Sequence, residues 1–373
     1  MSTRRLRVLC ALSGGVDSSV AAALLLEQGH DVSGVTMKLW GGESDSGCCS
    51  VSDVDDARRV AQQLDIDFHV FNFGEDFERH VVDPYVTAHA SGRTPNPCIE
   101  CNRHLKFDRL YRRAAALGFD AVATGHHARI VTRPDGVRRV RRAVDVAKDQ
   151  SYVLSMLDQV ALARTILPIG DHTKDEVRAH AERLGLRTAA KRDSQDVCFI
   201  TSAGGRSEFL GRRIPLTPGR MIDEEGRELG TVPAVQLVTI GQRKGLGLEG
   251  GPAPRYVVDV DVERRAVVIG DERSLYVSSV RCVGATWSAE PVTGEVLAQP
   301  SAHGAALPAI LELVDPGTQR LGAGGVDGWP AQGSLVGDGI VDVHWVEPHR
   351  RVAPGQTVAF YQGDEVVGAA IAT

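Results

Sequence analysis

The sequence predicts an α/β protein with a parallel sheet first, a small β-rich linker next and a small C-terminal β-barrel last, a sandwich being the alternative for that last part. Three observations carry this. Strand and helix signals alternate through about the first 200 residues, the pattern of a parallel sheet with helices on both faces. A glycine turn at Gly14-Gly15 joins the first apolar strand directly to the first helix. After about Ser202 the helical periods fade, and glycine and proline punctuate short β-rich runs. The expected boundaries are 1–205, 206–274 and 275–373.

The elements follow in order. Val8 to Leu12 is an apolar strand, and Val16, Val20, Ala23 and Leu24 then share one helix face up to Gly29. Val32 to Leu39 is a strand. A helix opens at Asp53 as its cap, with Val54, Ala57, Val60, Ala61 and Leu64 inward. Phe68 to Phe73 is a strand, Leu105 to Leu117 a helix closed by Gly118, and Asp120 to Thr124 a strand. Thr173 and Glu176 form a capping box for a helix ending at Gly185. Further on, Arg255 to Val260 and Ala266 to Ile269 make a hairpin around Glu263-Arg264. Beyond Leu275 come short strands with turns such as Pro316-Gly317 and Pro354-Gly355, and Gly322 to Gly333 reads as a surface loop.

Composition narrows the function classes. With 42 basic and 48 acidic residues the net charge is −6, so any nucleic-acid site must be a local patch. No run is long and apolar enough to span a membrane, and no signal-peptide pattern opens the chain, so a cytoplasmic protein without a membrane partner is expected. Seven cysteines in such a protein argue for chemistry or metal rather than disulfides. Cys10 and Cys282 sit in apolar strands as packing residues, and adjacent Cys48 and Cys49 are poorly spaced to chelate a metal.

The stretch Ala11-Leu12-Ser13-Gly14-Gly15-Val16-Asp17-Ser18 carries the first chemistry. Strand, glycine turn and helix point free N–H groups at an anion. Asp17 adds a carboxylate suited to Mg2+. Neither the Walker pattern nor the dinucleotide fingerprint is present. The stretch resembles the PP-loop of ATP pyrophosphatases, which cleave ATP between the α and β phosphates and adenylate a substrate oxygen.

A second stretch is Thr94-Pro95-Asn96-Pro97-Cys98-Ile99-Glu100-Cys101. Two prolines stiffen a loop ahead of a helix, and Cys101 is expected near that helix's N-terminus, where the dipole favours a thiolate. Cys198 lies beside Lys191 and Arg192. Arg133, Arg138, Arg139, Arg141 and Arg142 cluster around the turn Pro134-Asp135-Gly136. That hairpin is expected to be exposed, either touching nucleic-acid phosphates or forming a solvated basic edge.

Together these blocks resemble the tRNA-specific 2-thiouridylases over essentially the whole chain. Met37-Lys38-Leu39-Trp40, Gly47-Cys48-Cys49-Ser50, Gly92 to Asn102, Ala123-Thr124-Gly125-His126, Lys148-Asp149-Gln150-Ser151-Tyr152, Asp193 to Ile200, Thr239 to Gly247 and Pro354-Gly355-Gln356 follow in the family's order. The resemblance implies ATP-dependent replacement of the wobble uridine's carbon-2 oxygen by sulfur. Lys-, Glu- and Gln-type tRNAs would be the substrates, and a sulfur-relay protein or cysteine desulfurase the donor.

Matched by position, the resemblance makes Cys198 the persulfide carrier, Cys101 the other catalytic cysteine and Asp17 a catalytic residue. Ala11 to Ser18, Met37 and Gly125 would hold ATP. Asn96, Pro97, Cys98, His126, Lys148, Asp149, Gln150 and Gln356 would touch tRNA. Some members carry Asp in place of Cys98, which leaves two schemes open. One is a Cys101–Cys198 pair. The other is an iron–sulfur cluster held by Cys98, Cys101 and Cys198. Val232, Ala234 and Val238 depart from the family's usual residues before the Thr-Ile-Gly-Gln block. Two other classes remain: a PP-loop ligase acting on a small molecule, and a non-catalytic RNA-binding protein.

Overall fold

The structure is a computed structural model describing residues 4–39, 51–191, 193, 197–200, 204–248, 254–315 and 338–373. Trp40, the Gly47 to Ser50 block, Ser194 to Asp196, Pro316-Gly317 and the Gly322 to Gly333 run fall outside the described residues.

The first sheet contains β1 (Arg7–Ala11), β2 (Asp31–Lys38), β3 (Phe68–Asn72) and β4 (Ala121–Ala123) in the order β3-β2-β1-β4, all parallel. A two-residue strand, Thr165–Ile166, extends it beside β4. Successive side chains of β1 alternate between two cores. Val8 and Cys10 pack with the helices Val16–Glu27, Val51–Gln63 and Lys174–Arg183. Leu9 packs with the opposite layer, which includes Phe107, Tyr111 and Tyr152. Both faces are therefore covered, and the loop at the carboxyl end of β1 sits where such sheets bind ligands.

Two local expectations change. Helix Val16–Glu27 buries residues all round rather than along one stripe, because it is held between the sheet and helix Lys174–Arg183. Small alanines at positions 21 to 23 permit that fit. Asp53 is not a cap: its helix starts at Val51, and the carboxylate instead accepts a hydrogen bond from Lys191 Nζ at 2.7 Å. The capping box at Thr173 and Glu176 forms as read.

The Arg133–Arg142 region departs furthest from expectation. β5 (Ala128–Thr132) and β6 (Arg138–Arg142) form a hairpin that leaves the first sheet and joins the last one. Its turn, Pro134 to Gly136, is exposed as expected, but its arginines are paired. Arg141 Nε lies 2.6 Å from Asp364, and Arg142 reaches Asp149 and Gln299, each at 2.8 Å. Arg139 donates to Gln362 at 3.0 Å, and Arg138 to the Ala163 carbonyl at 2.8 Å. Arg133 lies 3.4 Å from Glu365. The basic run is a seam between the two ends of the chain, its charges matched by carboxylates and amides that sequence order does not reveal.

The middle sheet holds Gly219–Asp223, Glu228–Val232, Tyr256–Asp261 and Ala266–Gly270, the last two being the expected hairpin. The last sheet runs Tyr276–Trp287, Gly339–Arg350, Leu307–Asp315, Gly294–Gln299, Thr357–Gln362 and Glu365–Ala372, then pairs back to the first of these. Six antiparallel strands thus close a barrel, not a sandwich, around Trp287, Val343, Phe360 and their neighbours. Closure removes the exposed edges an open sheet would leave. Cys10 and Cys282 are packing residues, with burial pushing each thiol up to about 12.

Candidate active site

A cavity of about 1100 Å³ opens where the carboxyl ends of β1 and β4 meet the barrel. One wall is the glycine loop. Gly15 precedes helix Val16–Glu27 with no side chain capping it, so the first-turn N–H groups are left for an anion. The Ser18 hydroxyl is 3.1 Å from the Ser13 N–H that donates to it and 3.2 Å from the Ser13 hydroxyl. Gly14 has φ +72°, and a Cβ there would meet the Asp53 carbonyl oxygen at 2.4 Å. Only glycine fits that turn.

Asp17 projects into this wall under two donors. Lys174 Nζ lies 2.7 and 2.8 Å from its oxygens, and His127 Nε2 lies 3.2 Å from one of them. Burial pushes the Asp17 carboxyl up, but His127 and Lys174 together outweigh it and hold it below the usual range. Lys174 also bonds Asp193 at 2.9 Å, and Asp193 accepts from Lys148 at 2.8 Å. Burial raises the Asp193 carboxyl, yet the two lysines bring it down to about 2. Mg2+ would have Asp17 as its protein ligand here, but both carboxylate oxygens already bond an ammonium, so that donor set fits the ion poorly.

The opposite wall carries three thiols. Cys98, Cys101 and Cys198 all line the cavity and are each half-buried. The helix that bears the first two starts earlier than expected. It begins at Pro97, with the Asn96 side chain accepting from the Cys98 N–H at 3.0 Å, and runs through a wide π-type segment, Asn102–Arg109, to Ala116. Cys98 is therefore in the first turn and Cys101 at its far side, where the dipole has largely faded. The sequence misled because Pro95-Asn96-Pro97 reads as loop, whereas Pro97 is at the favoured first helical position. Among the described residues no three of His, Cys, Asp or Glu gather as a metal-ligand set.

Ala11, Leu12, Ser13, Gly15, Val16, Asp17, Ser18, Met37, Pro97, Gly125, His126, Lys148, Asp149 and Gln150 also line the cavity. Gly14, Asn96 and Gln356 do not line it. Gln356 instead donates to the Thr94 carbonyl and ties the barrel to the cysteine loop. Asp149 spends its oxygens on Arg142, Ala143 N–H and Ser151, and Gln150 accepts from the His127 N–H at 2.9 Å. His126 is held neutral, its pKa driven well below normal by burial and then by the Lys106 and His127 charges. Sequence reasoning missed Lys174 and His127. The only local signal for Lys174 was its capping box, and that explained the helix without the lysine.

Domain models match along the chain. One described as tRNA methyl transferase HUP domain covers residues 6–202, and one described as tRNA methyl transferase PRC-barrel domain covers 207–271. An aminomethyltransferase beta-barrel domain model covers 327–372. A protein named tRNA-specific 2-thiouridylase MnmA from Roseiflexus sp. (strain RS-1) is 45% identical over 389 residues, spanning 97% of this chain and 98% of its own.

The chain belongs to the tRNA-specific 2-thiouridylase family.

A second member, from Streptomyces coelicolor, is 44% identical over 381 residues, with 99% and 95% of the two chains covered. A solved 4-thiouridine synthetase–RNA complex with bound ATP is similar over 52% of this chain and 45% of that one, with 18% identity and a TM-score of 0.35. No helix among the described residues of this family member is long and apolar enough to cross a membrane.

Proposed function

We propose that this protein replaces the carbon-2 oxygen of the wobble uridine of tRNA with sulfur, at the expense of ATP. The observation that carries the reading is the shared cavity: the anion loop at Ser13 to Ser18 and the thiols of Cys101 and Cys198 line one space. An amide-like oxygen is a poor leaving group until it is activated. The uridine oxygen attacks the α-phosphorus of ATP, pyrophosphate departs, and the oxygen becomes an adenylate. The loop N–H groups hold the phosphate charge as it develops.

Sulfur then comes from a persulfide on Cys198. Its terminal sulfur attacks carbon 2, and AMP leaves with the oxygen. The Cys101 thiolate attacks the Cys198 Sγ, which frees the thiouridine and leaves a Cys101–Cys198 disulfide. An external thiol reduces that disulfide, and a persulfide donor, a relay protein or desulfurase, reloads Cys198. Paired thiols beside a phosphate loop favour sulfur transfer over the methyl transfer named in two of the matching domain descriptions.

Lys148 and His126 at the cavity wall are proposed to face the anticodon, with Lys-, Glu- and Gln-type tRNAs as substrates. The chain is proposed to act in the cytoplasm, with domain limits at 205 and 274. Nucleoside mass spectrometry of tRNA treated with the protein, ATP and a persulfide donor tests the reading. 2-Thiouridine at the wobble position with matching pyrophosphate release is expected; pyrophosphate without a thiolated nucleoside overturns it in favour of a PP-loop ligase.

A further inference from the structure

The barrel turn Pro354-Gly355-Gln356 lies outside the cavity, yet it grips the loop that leads to two of the thiols. Thr94 is buried, and both of its backbone polar groups go to this turn. Its N–H donates to the Pro354 carbonyl at 2.8 Å, and its carbonyl accepts from the Gln356 side-chain amide. Gly355, between those two residues, has φ +92°, and a Cβ there would lie 3.2 Å from the Pro95 nitrogen. The turn is itself strapped to the last barrel strand. The Gly355 N–H donates to the Ala372 carbonyl at 2.9 Å, and the Ala372 N–H donates to the Gln356 carbonyl at 2.8 Å.

Little freedom separates Thr94 from the thiols. Pro95 and Pro97 each fix their own φ and restrict the residue before them, so the four residues from Thr94 to Pro97 are all constrained. The Asn96 side chain then accepts from the Cys98 N–H at 3.0 Å and ties the loop to the helix. A displacement at Thr94 is therefore passed on to Cys98 and Cys101 rather than absorbed on the way.

We propose that Gln356 is a positioning residue that acts through Thr94 to hold Cys101 in line with Cys198, and so serves the sulfur step rather than contact with RNA. The inference rests on the reading of Cys101 and Cys198 as the reacting pair. In that reading the Cys101 thiolate must approach the Cys198 Sγ along the sulfur–sulfur axis. The barrel thus sets the geometry of a thiol from outside the chamber in which the thiol works.

The test compares the full chain with Gln356→Met, which keeps the length and removes the donor, and Gln356→Lys, which puts a donor back. Each receives tRNA, ATP and a persulfide donor, and 2-thiouridine and pyrophosphate are measured in the same reaction. Filter binding gives tRNA affinity. Peptide mass spectrometry after diamide gives the rate of Cys101–Cys198 disulfide formation in the protein alone. Gln356→Met should lose about tenfold or more in 2-thiouridine and in disulfide rate, within the roughly hundredfold that a misplacement of about an ångström can cost. Its pyrophosphate release and tRNA affinity should stay unchanged, and Gln356→Lys should recover both losses. Gln356→Asn withdraws the amide by one methylene, should show the same split, and decides the matter if Gln356→Met misfolds. Loss of tRNA affinity in step with thiolation overturns the positioning role in favour of RNA contact. Equal loss of pyrophosphate and 2-thiouridine, or no loss of either, overturns it and leaves the thiolation reading standing. No 2-thiouridine from the unmodified protein overturns both.

Discussion

Gly125 and Ser18 approach so closely that a Cβ on Gly125 would lie 2.5 Å from the Ser18 backbone nitrogen. The end of β4 is thus pressed against the first turn of the anion-loop helix, and glycine is what permits it. Gly125→Ala should push that turn aside. Overpacking of this kind costs about 1–3 kcal/mol. Thermal unfolding should fall accordingly and ATP affinity should drop; calorimetry showing ATP binding unchanged would refute the assignment of this turn to phosphate.

Asp17→Ala removes the carboxylate that orients Lys174 and His127 beside the loop. If that group acts in the activation step, pyrophosphate release should fall by about a hundredfold or more, the loss typical of a preorganised electrostatic contact. Near-normal release in a steady-state assay counts against its catalytic role.

Asp193 makes a prediction about pH. Its carboxyl is held down to about 2 by ion pairs that outweigh burial. A carboxylate depressed on folding stabilises the native state above its unfolded value, near ~3.9, and loses that effect as pH falls through its folded value. Asp193→Asn should therefore lower the urea midpoint at pH 6, and the gap from the unmodified protein should shrink steadily below about pH 4. A gap that stays constant from pH 6 to pH 3 would mean packing, not charge, holds this segment.

The hairpin arginines should matter for stability rather than for RNA. Arg142 contacts Asp149, Gln299 and the face of Tyr361, whose centroid is 4.1 Å from the guanidinium carbon. Losing hydrogen bonds to a charged group costs about 1.5–3 kcal/mol. Arg142→Ala should lower the unfolding midpoint, while Arg139→Ala with Arg141→Ala leaves the salt dependence of tRNA binding unchanged. A slope reduced by about one unit per arginine would restore the phosphate-contact interpretation.

Among the cysteines, Cys101→Ser and Cys198→Ser should each abolish thiolation, and Cys98→Ser should keep most of it. Metal-free protein given a persulfide donor under anaerobic conditions should remain active. Silence there, rescued by iron and sulfide, would reinstate a cluster.

What could be read from sequence was what lies within a few residues. The glycine loop, the alternation of strands and helices, and the Thr173–Glu176 box are local patterns, and each appears where its pattern falls. Cys98, Cys101 and Cys198 also converge on one cavity with the loop. The misses are long-range. Lys174 meets Asp17 across 157 positions, and Arg141 meets Asp364 across 223. No periodicity encodes such partners. The exposed basic hairpin looked unpaired because acids that match it, Asp364 and Glu365, sit on another part of the chain.

That hairpin has a consequence for biosynthesis. β6 pairs at Arg141 with Glu365, the Tyr152 hydroxyl donates to the Thr357 carbonyl at 2.8 Å, and Ser151 meets Tyr361 at 3.1 Å. The turn Lys148-Asp149-Gln150 that walls the cavity is therefore braced by strands that leave the ribosome more than two hundred residues later. The nascent parallel-sheet unit can assemble its anion loop early, but it carries an unbraced cavity wall until those barrel strands arrive. Translation thus delivers the anion loop well before the strands that brace the cavity wall.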